Sequence, residues 1–293
     1  MEQNYVIFVD TDMDFTPEIC KKYDFKLISM PYSFSDKETV YPYVDFEEFQ
    51  AHEFFERLRK GEMPTTSALN PADYEKYFEP YFKAGTPILY VHFSRAMSGT
   101  FNAMNIALKS MKEKYPNLEF YEVDTKAITI GSFNIACEIG DMYSEGKSIK
   151  EILSWAETEV DKFATYFFVD NLSFFRRSGR VKTMTAIMGN MLGIRPVMHM
   201  SSGGELMAID KARGLNGAVD KVVDYVVKLQ DKIKDHRIVV GHSDNLKNVE
   251  LVIAKLKEKL GEDLNIITYA LNPTIGAHCG PDAIGVCFHA IHR

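Results

Sequence analysis

The sequence predicts an α/β protein of two domains, the first with a mostly parallel sheet, the second with a mixed sheet, and a ligand between them. Three observations carry this expectation. Short apolar runs rich in Val, Ile and aromatics alternate with stretches of helical period along the chain, the pattern of strand–helix–strand units. In the second half Ser202-Gly203-Gly204 separates two apolar runs at hairpin spacing, which adds antiparallel pairing there. The chain has 293 residues, enough for two cores, and its pattern changes near Phe163. The expected domains are therefore 1–163 and 164–293.

Taken in order, Tyr5–Asp10 reads as a buried strand with Asp12 and Asp14 in the loop beyond it. Thr16-Pro17-Glu18 supplies an N-cap, an N1 proline and a first-turn acid for a short helix. Lys26–Met30 is a second strand. Asp45, with Glu48 three residues on, is expected to open an amphipathic helix through Phe46, Phe49, Phe54 and Leu58 that Gly61 closes. Asn70-Pro71 with Asp73 starts the next helix, which leaves Thr65, Thr66 and Ser67 in a loop. Ile88–His92 is a strand that empties into Ser94-Arg95-Ala96-Met97-Ser98-Gly99-Thr100, and a helix follows. Such a turn brings free backbone N–H groups and short hydroxyls to one point, as an oxyanion site requires; the competing reading is that Ser98 only caps the helix.

Leu118–Val123 is the next strand and Ile130–Tyr143 the next helix. Ser148 with Glu151 forms a capping box for a helix over Ile149–Val160. Gly146-Lys147-Ser148 lacks the earlier glycine of a phosphate loop, because position 141 is Asp141. In the second half the expected strands are Thr165–Asp170, Ile194–Met200, Leu206–Ile209, Ile238–Val240, Asn265–Tyr269 and Ile284–Phe288. The expected helices are one carrying Met184, Met188 and Met191, then Ala218–Lys234 and Asn245–Leu260.

The formal charge of -7 argues against a nucleic-acid surface, which needs clustered Lys and Arg. No apolar run reaches the length of a membrane span, and the opening Met-Glu-Gln-Asn has no basic-then-apolar leader, so the expectation is a cytoplasmic protein without stable membrane insertion. Cys20, Cys137, Cys279 and Cys287 form no C-x-x-C pair and read as buried or half-buried thiols. No metal site is expected: His52-Glu53-Phe54-Phe55-Glu56 ends in Glu where a zinc motif needs His, and Asp10, Asp12 and Asp14 lack the rest of a calcium loop. These acids read as capping and loop-solvating groups.

His278 lies between Gly276 and Gly280-Pro281, in a stretch too rich in breakers for a helix interior, where the glycines would let a ligand approach the backbone. A hydrolase or phosphotransferase acting on a small carboxylate or phosphate ester is a second reading, the hydrolase as a Ser-His-acid enzyme built on Ser94 or Ser98 with His278, although no G-x-S-x-G elbow is present. A module that binds its ligand only as a signal is a third. Arg176, Arg177 and Arg180 read as a solvated turn with one or two ion pairs. The Phe- and Met-rich span from Phe167 to Met200 reads either as core or as the wall of an apolar site.

Several short motifs, in order along nearly the whole chain, resemble those of the DegV family, bacterial fatty-acid-binding proteins that present acyl chains to a fatty acid kinase. They are Asp10-Thr11-Asp12, Thr66-Ser67, Ser94 with Ser98-Gly99-Thr100, Ser178-Gly179-Arg180, Gly193-Ile194-Arg195-Pro196, Lys211-Ala212-Arg213-Gly214 and Gly276-Ala277-His278-Cys279-Gly280-Pro281. The resemblance implies two α/β domains with one long-chain fatty acid between them and no other cofactor. It implies a carboxylate site at Thr66, Ser94 and His278, supported by Ser67, Arg95, Ser98, Gly99, Thr100 and Gly280. It implies an acyl tunnel in the second domain, for which Phe167, Met184, Met188, Met191 and Met198 are the candidates. It also implies no catalytic residue in this chain, the phosphate coming from ATP through a partner fatty acid kinase. Four features depart from the family pattern: Ala68-Leu69-Asn70 follow Thr66-Ser67 where Gln-Pro-Ser is usual, Arg95 replaces a second serine, Arg195 a lysine, and Cys279 a Thr or Ser.

Overall fold

The computed structural model describes residues 4–34, 38–181 and 193–293. Four parallel strands form the first sheet: β1 (Val6–Asp10), β2 (Lys26–Ile28), β5 (Ile88–His92) and β6 (Phe120–Asp124), in the order β2-β1-β5-β6. All five residues of β5 are buried, as expected of a central strand covered on both faces. Four of the first half's helices are α1 (Pro17–Tyr23), α2 (Ala51–Arg59), α3 (Pro71–Lys83) and α4 (Thr100–Lys114). The caps follow the sequence. The Thr16 side chain accepts from the Ile19 amide, and Asn70 and Asp73 exchange hydrogen bonds in a full capping box.

Two expectations fail between β2 and α3. Asp45 does not open a helix, because its carboxylate accepts the Tyr41 amide at 2.6 Å, and α2 begins only at Ala51. Thr65 and Thr66 are not loop residues. They form β4, paired antiparallel with β3 (Tyr32–Ser33). This excursion has its own small aromatic core of Tyr32, Phe34, Phe54, Phe55 and Leu58, joined by Phe174 from the second half.

The second sheet has six strands: β7 (Phe163–Phe168), β8 (Ile194–Met200), β9 (Leu206–Arg213), β10 (Ile238–His242), β11 (Ile266–Ala270) and β12 (Ile284–His289). Their order is β11-β10-β12-β7-β8-β9, with β10 and β11 parallel and the other pairs antiparallel. The expected β8–β9 hairpin is present, closed by the Gly204 amide donating to the Ser201 carbonyl with Gly204 at φ 77°. Among the described residues the helices of this half are α7 (Ser173–Ser178), α8 (Gly214–Leu229), α9 (Leu246–Leu260) and α10 (Pro273–Cys279). Helix α8 starts and ends earlier than its apolar period suggests, because β9 runs straight into Gly214 at φ 70°.

Helices α8 and α9 cover one face of the six-stranded sheet with a Val-rich core. Two helices link the halves in sequence, α5 (Ile130–Ser144) and α6 (Ile149–Glu159), the latter with the Ser148–Glu151 capping box. Helix α5 belongs to the first half in sequence but packs on β7, β10 and β12, with α1 on its other side. Eleven of its fifteen residues are buried. Gly241 on β10 makes this approach possible, since a Cβ there would collide with the side chains of Ile130 and Leu271.

Candidate functional site

The apolar space between the two sheets contains a cavity of about 160 Å³, where one water needs on the order of 10–15 Å³. The loop after β5 contributes Phe93, Met97, Ser98, Gly99 and Thr100. The second sheet contributes Phe167, Met200, Leu206, Ile284 and Gly285, and α10 contributes Thr274, Ile275, His278 and Cys279. Polar groups gather chiefly at two places on a mostly apolar wall.

The first is Thr66 and His278. The Thr66 hydroxyl and the His278 Nε2 lie 2.9 Å apart. Strand β4 presents Thr66, and the last turn of α10 presents His278. That helix is a correction to the sequence reading. Asn272 caps it, accepting from the Thr274 and Ile275 amides, and Pro273 sits in its first turn. The flanking glycines do not admit a ligand. A Cβ at Gly276 would lie 2.8 and 2.9 Å from the rings of Phe54 and Phe55, and one at Gly280 would meet Phe174. They let aromatic rings press on the helix, and Gly280 lies outside the cavity lining.

Burial, then the positive charges of Arg180 and Arg177, lower the pKa of His278 to about 4, so the imidazole is neutral. Its Nδ1 is buried with no partner among the described residues. A catalytic triad needs an acid at that nitrogen, and neither Ser94 nor Ser98 is hydrogen-bonded to the ring, so the geometry does not favour the hydrolase reading. Arg180 lines the cavity, while Arg177 donates to the carbonyls of Met63, at 3.0 Å, and Pro64, just ahead of β4. Arg176, Arg177 and Arg180 are thus not an ion-paired turn: none of them pairs with a described acid, and Arg176 and Arg177 lie in α7.

Ser67, Ser98, Gly99, Thr100 and Phe167 line the cavity. The Thr100 hydroxyl is already engaged with Tyr74 and the Leu69 amide, and the Ser98 hydroxyl accepts from the Thr100 amide. Ser94 is elsewhere. Its buried hydroxyl donates to the Gly204 carbonyl at 2.7 Å, tying the β5 loop to the β8–β9 turn, and it is not part of the lining. Arg95 also turns away, pairing with Glu122 over the Phe101 ring. Met198 is buried, but Met200 on the same strand is the methionine that reaches the cavity. Met184, Met188 and Met191 lie outside the described residues.

The second polar place is one the sequence reading missed. Asp12, Thr129 and Thr274 also line the cavity. The acids after β1 do not solvate a loop: Asp10 and Asp14 are buried and Asp12 is half-buried. The Thr274 hydroxyl donates to Asp12 and the Thr129 hydroxyl to Asp14, which also accepts the Asn272 amide at 2.9 Å. Burial raises the pKa of Asp12 to about 6 and that of Asp14 to about 7, the hydrogen bonds only partly offsetting it. The Asp10-Thr11-Asp12 motif was the available signal, and Thr129 offered none. All four cysteines are buried, and burial pushes the Cys279 thiol up to about 12, which makes it unreactive.

Among the described residues one group could hold a metal, His52 with Glu56 and Asp244 at the surface. Arg59 already neutralises it, pairing with Glu56 at 2.9 Å, Asp244 at 2.6 Å and Asp282 at 3.0 Å. No helix among the described residues is long and apolar enough to cross a membrane.

Residues 4–290 match the family model described as "Uncharacterised protein, DegV family". A DegV domain-containing protein of Clostridium perfringens is 32% identical over 288 residues, covering 98% of this chain and 97% of that protein. Among solved structures, a stearic acid-binding protein from Eubacterium ventriosum superposes with a TM-score of 0.85 at 20% identity, covering 98% of both chains. A fatty acid-binding DegV family protein from Thermus thermophilus gives 0.84 at 21% identity, covering 98% of this chain and 99% of that one.

Proposed function

The chain belongs to the DegV family, and from that premise we propose that it is a cytoplasmic carrier that binds one long-chain fatty acid in the cavity between its sheets. The carboxylate sits at Thr66 and His278, and the hydrocarbon runs along Phe167, Met200, Leu206 and Ile284. The observation that carries this reading is the Thr66–His278 pair at one place on a mostly apolar wall. A buried carboxylate is costly unless hydrogen-bonded. A neutral His278 donating from Nε2 to Thr66 leaves the threonine proton free for it, and Arg180 supplies positive charge nearby. Each buried methylene adds about 0.8 kcal/mol, so the tail dominates the affinity. The names of the solved relatives, which describe fatty-acid binding, support the same ligand class.

The protein's role in this reading is to present the carboxylate to a fatty acid kinase, which transfers phosphate from ATP; the chain contributes no catalytic group of its own. Native mass spectrometry of protein purified from bacteria tests the binding step. A bound long-chain fatty acid is expected. A ligand-free spectrum, together with no uptake of added fatty acid, overturns the proposal. Acyl phosphate formed only when a fatty acid kinase and ATP are added tests the second step.

A further inference from the structure

Resting on the carrier reading above, we propose that Asp12, Thr129 and Thr274 form a second polar subsite in the cavity, one that takes a hydroxyl on the third carbon of the bound fatty acid. The argument begins with where the protons lie. Thr274 shares its one proton between Asp12 and the Asn272 side-chain carbonyl, and Thr129 gives its own to Asp14, so neither hydroxyl has a proton left for a ligand, and both residues line the cavity. Asp12 adds a carboxylate. One of its oxygens accepts from Thr274. The other accepts from no described residue, and Asp12 lines the cavity.

The subsite is therefore made of acceptors and carries negative charge. It repels a carboxylate, which directs the head group to Thr66 and His278, and it calls for a hydrogen-bond donor. A plain alkyl chain laid across it leaves a half-buried carboxylate oxygen unpaired, whereas an O–H group on the chain satisfies it. The position on the chain follows from α10. Thr274 and His278 are four residues apart on one helix face, about 6 Å along the axis. Two carbon–carbon bonds and one hydroxyl hydrogen bond span such a distance, which selects carbon 3.

The test compares hexadecanoic and 3-hydroxyhexadecanoic acid, each titrated calorimetrically into the delipidated full chain at neutral pH. The hydroxy acid is expected to bind about tenfold more tightly, the worth of one hydrogen bond that would otherwise go unmade. That ratio is expected to fall towards one in Asp12→Ala and, independently, in Thr274→Val. 12-Hydroxyoctadecanoic acid is expected to show no such gain over octadecanoic acid. Equal affinities for the first two acids in the unmodified protein overturn this proposal alone, because ordered water then suffices at Asp12; so does a preference that survives in both variants. Failure of every acid to bind overturns the carrier reading along with it.

Discussion

The His278 Nε2 and the Thr66 Oγ1 meet at 2.9 Å across 212 positions of sequence. One comes from a helix of the second half and the other from a two-residue strand in the excursion of the first. Their contact depends on α10 being gripped by β3, β4, α2 and α7 together. The polar end of the cavity is therefore a product of tertiary packing, and single changes in the grip are expected to reach it.

Thr66→Val removes the hydroxyl and leaves the imidazole without its partner. Fatty-acid affinity is expected to fall by roughly 1–3 kcal/mol, the cost of an unpaired buried polar group. Titration calorimetry on delipidated protein measures it, and an unchanged affinity removes Thr66 from the head-group site.

Ser94→Ala deletes the tie to the Gly204 carbonyl. The expected outcome is a stability loss of roughly 0.5–1.5 kcal/mol in urea unfolding, with a smaller effect on affinity than Thr66→Val. The reverse ranking would return Ser94 to the head group.

Arg177 anchors the Met63 and Pro64 carbonyls that lead into Thr66. Arg177→Ala is expected to weaken fatty-acid binding roughly tenfold, about the worth of a charge-assisted hydrogen bond. Arg177→Lys, which lacks the planar fork, is expected not to restore it. Full rescue by lysine would mean that charge alone matters.

Gly276→Ala places a methyl group 2.8 Å from the Phe54 ring and 2.9 Å from the Phe55 ring. Overpacking of this kind costs about 1–3 kcal/mol, read as a lower denaturation midpoint. A midpoint equal to that of the parent protein would show that the aromatic core yields freely.

Acid stability has two opposing contributions. His278 and His92 have folded pKa values near 4, below the ordinary histidine value. Their stabilising contribution is present above that ordinary value and is lost as pH falls through about 4. Asp14 is raised to about 7, so its contribution is present below the ordinary aspartate value and is lost as pH rises through about 7. Asp14→Asn removes the second contribution only. Relative to the parent, the variant is expected to gain stability between about pH 4 and pH 7, measured by urea unfolding at both ends. A pH-independent difference would show that Asp14 titrates normally in the fold.

The alternation of strands and helices was legible in the sequence because each element carries its own signal, such as the Asn70–Asp73 and Ser148–Glu151 caps. Helix α10 was missed although its start signal is present. Asn272-Pro273 repeats the start signal of Asn70-Pro71, but the glycines beside His278 obscured it until Phe54, Phe55 and Phe174 showed why they are there. The acids after β1 were not legible. An aspartate next to a strand ordinarily faces water, and what buries Asp14 is Thr129, 115 positions on, and Asn272, 258 positions on. The same holds for Ser94: nothing local says that its hydroxyl will be taken by Gly204.

The packing of α5 against the far sheet bears on how this protein can be taken apart. A cut at Phe163 would divide the sequence where its pattern changes, yet it would strip β7, β10 and β12 of a helix they share with α1. Neither fragment would keep a closed interior, so the two are expected to be insoluble when expressed separately and to recover only when mixed. Swapping halves between relatives to alter ligand choice is then best done with the junction before Ile130, so that α5 travels with the sheet it covers.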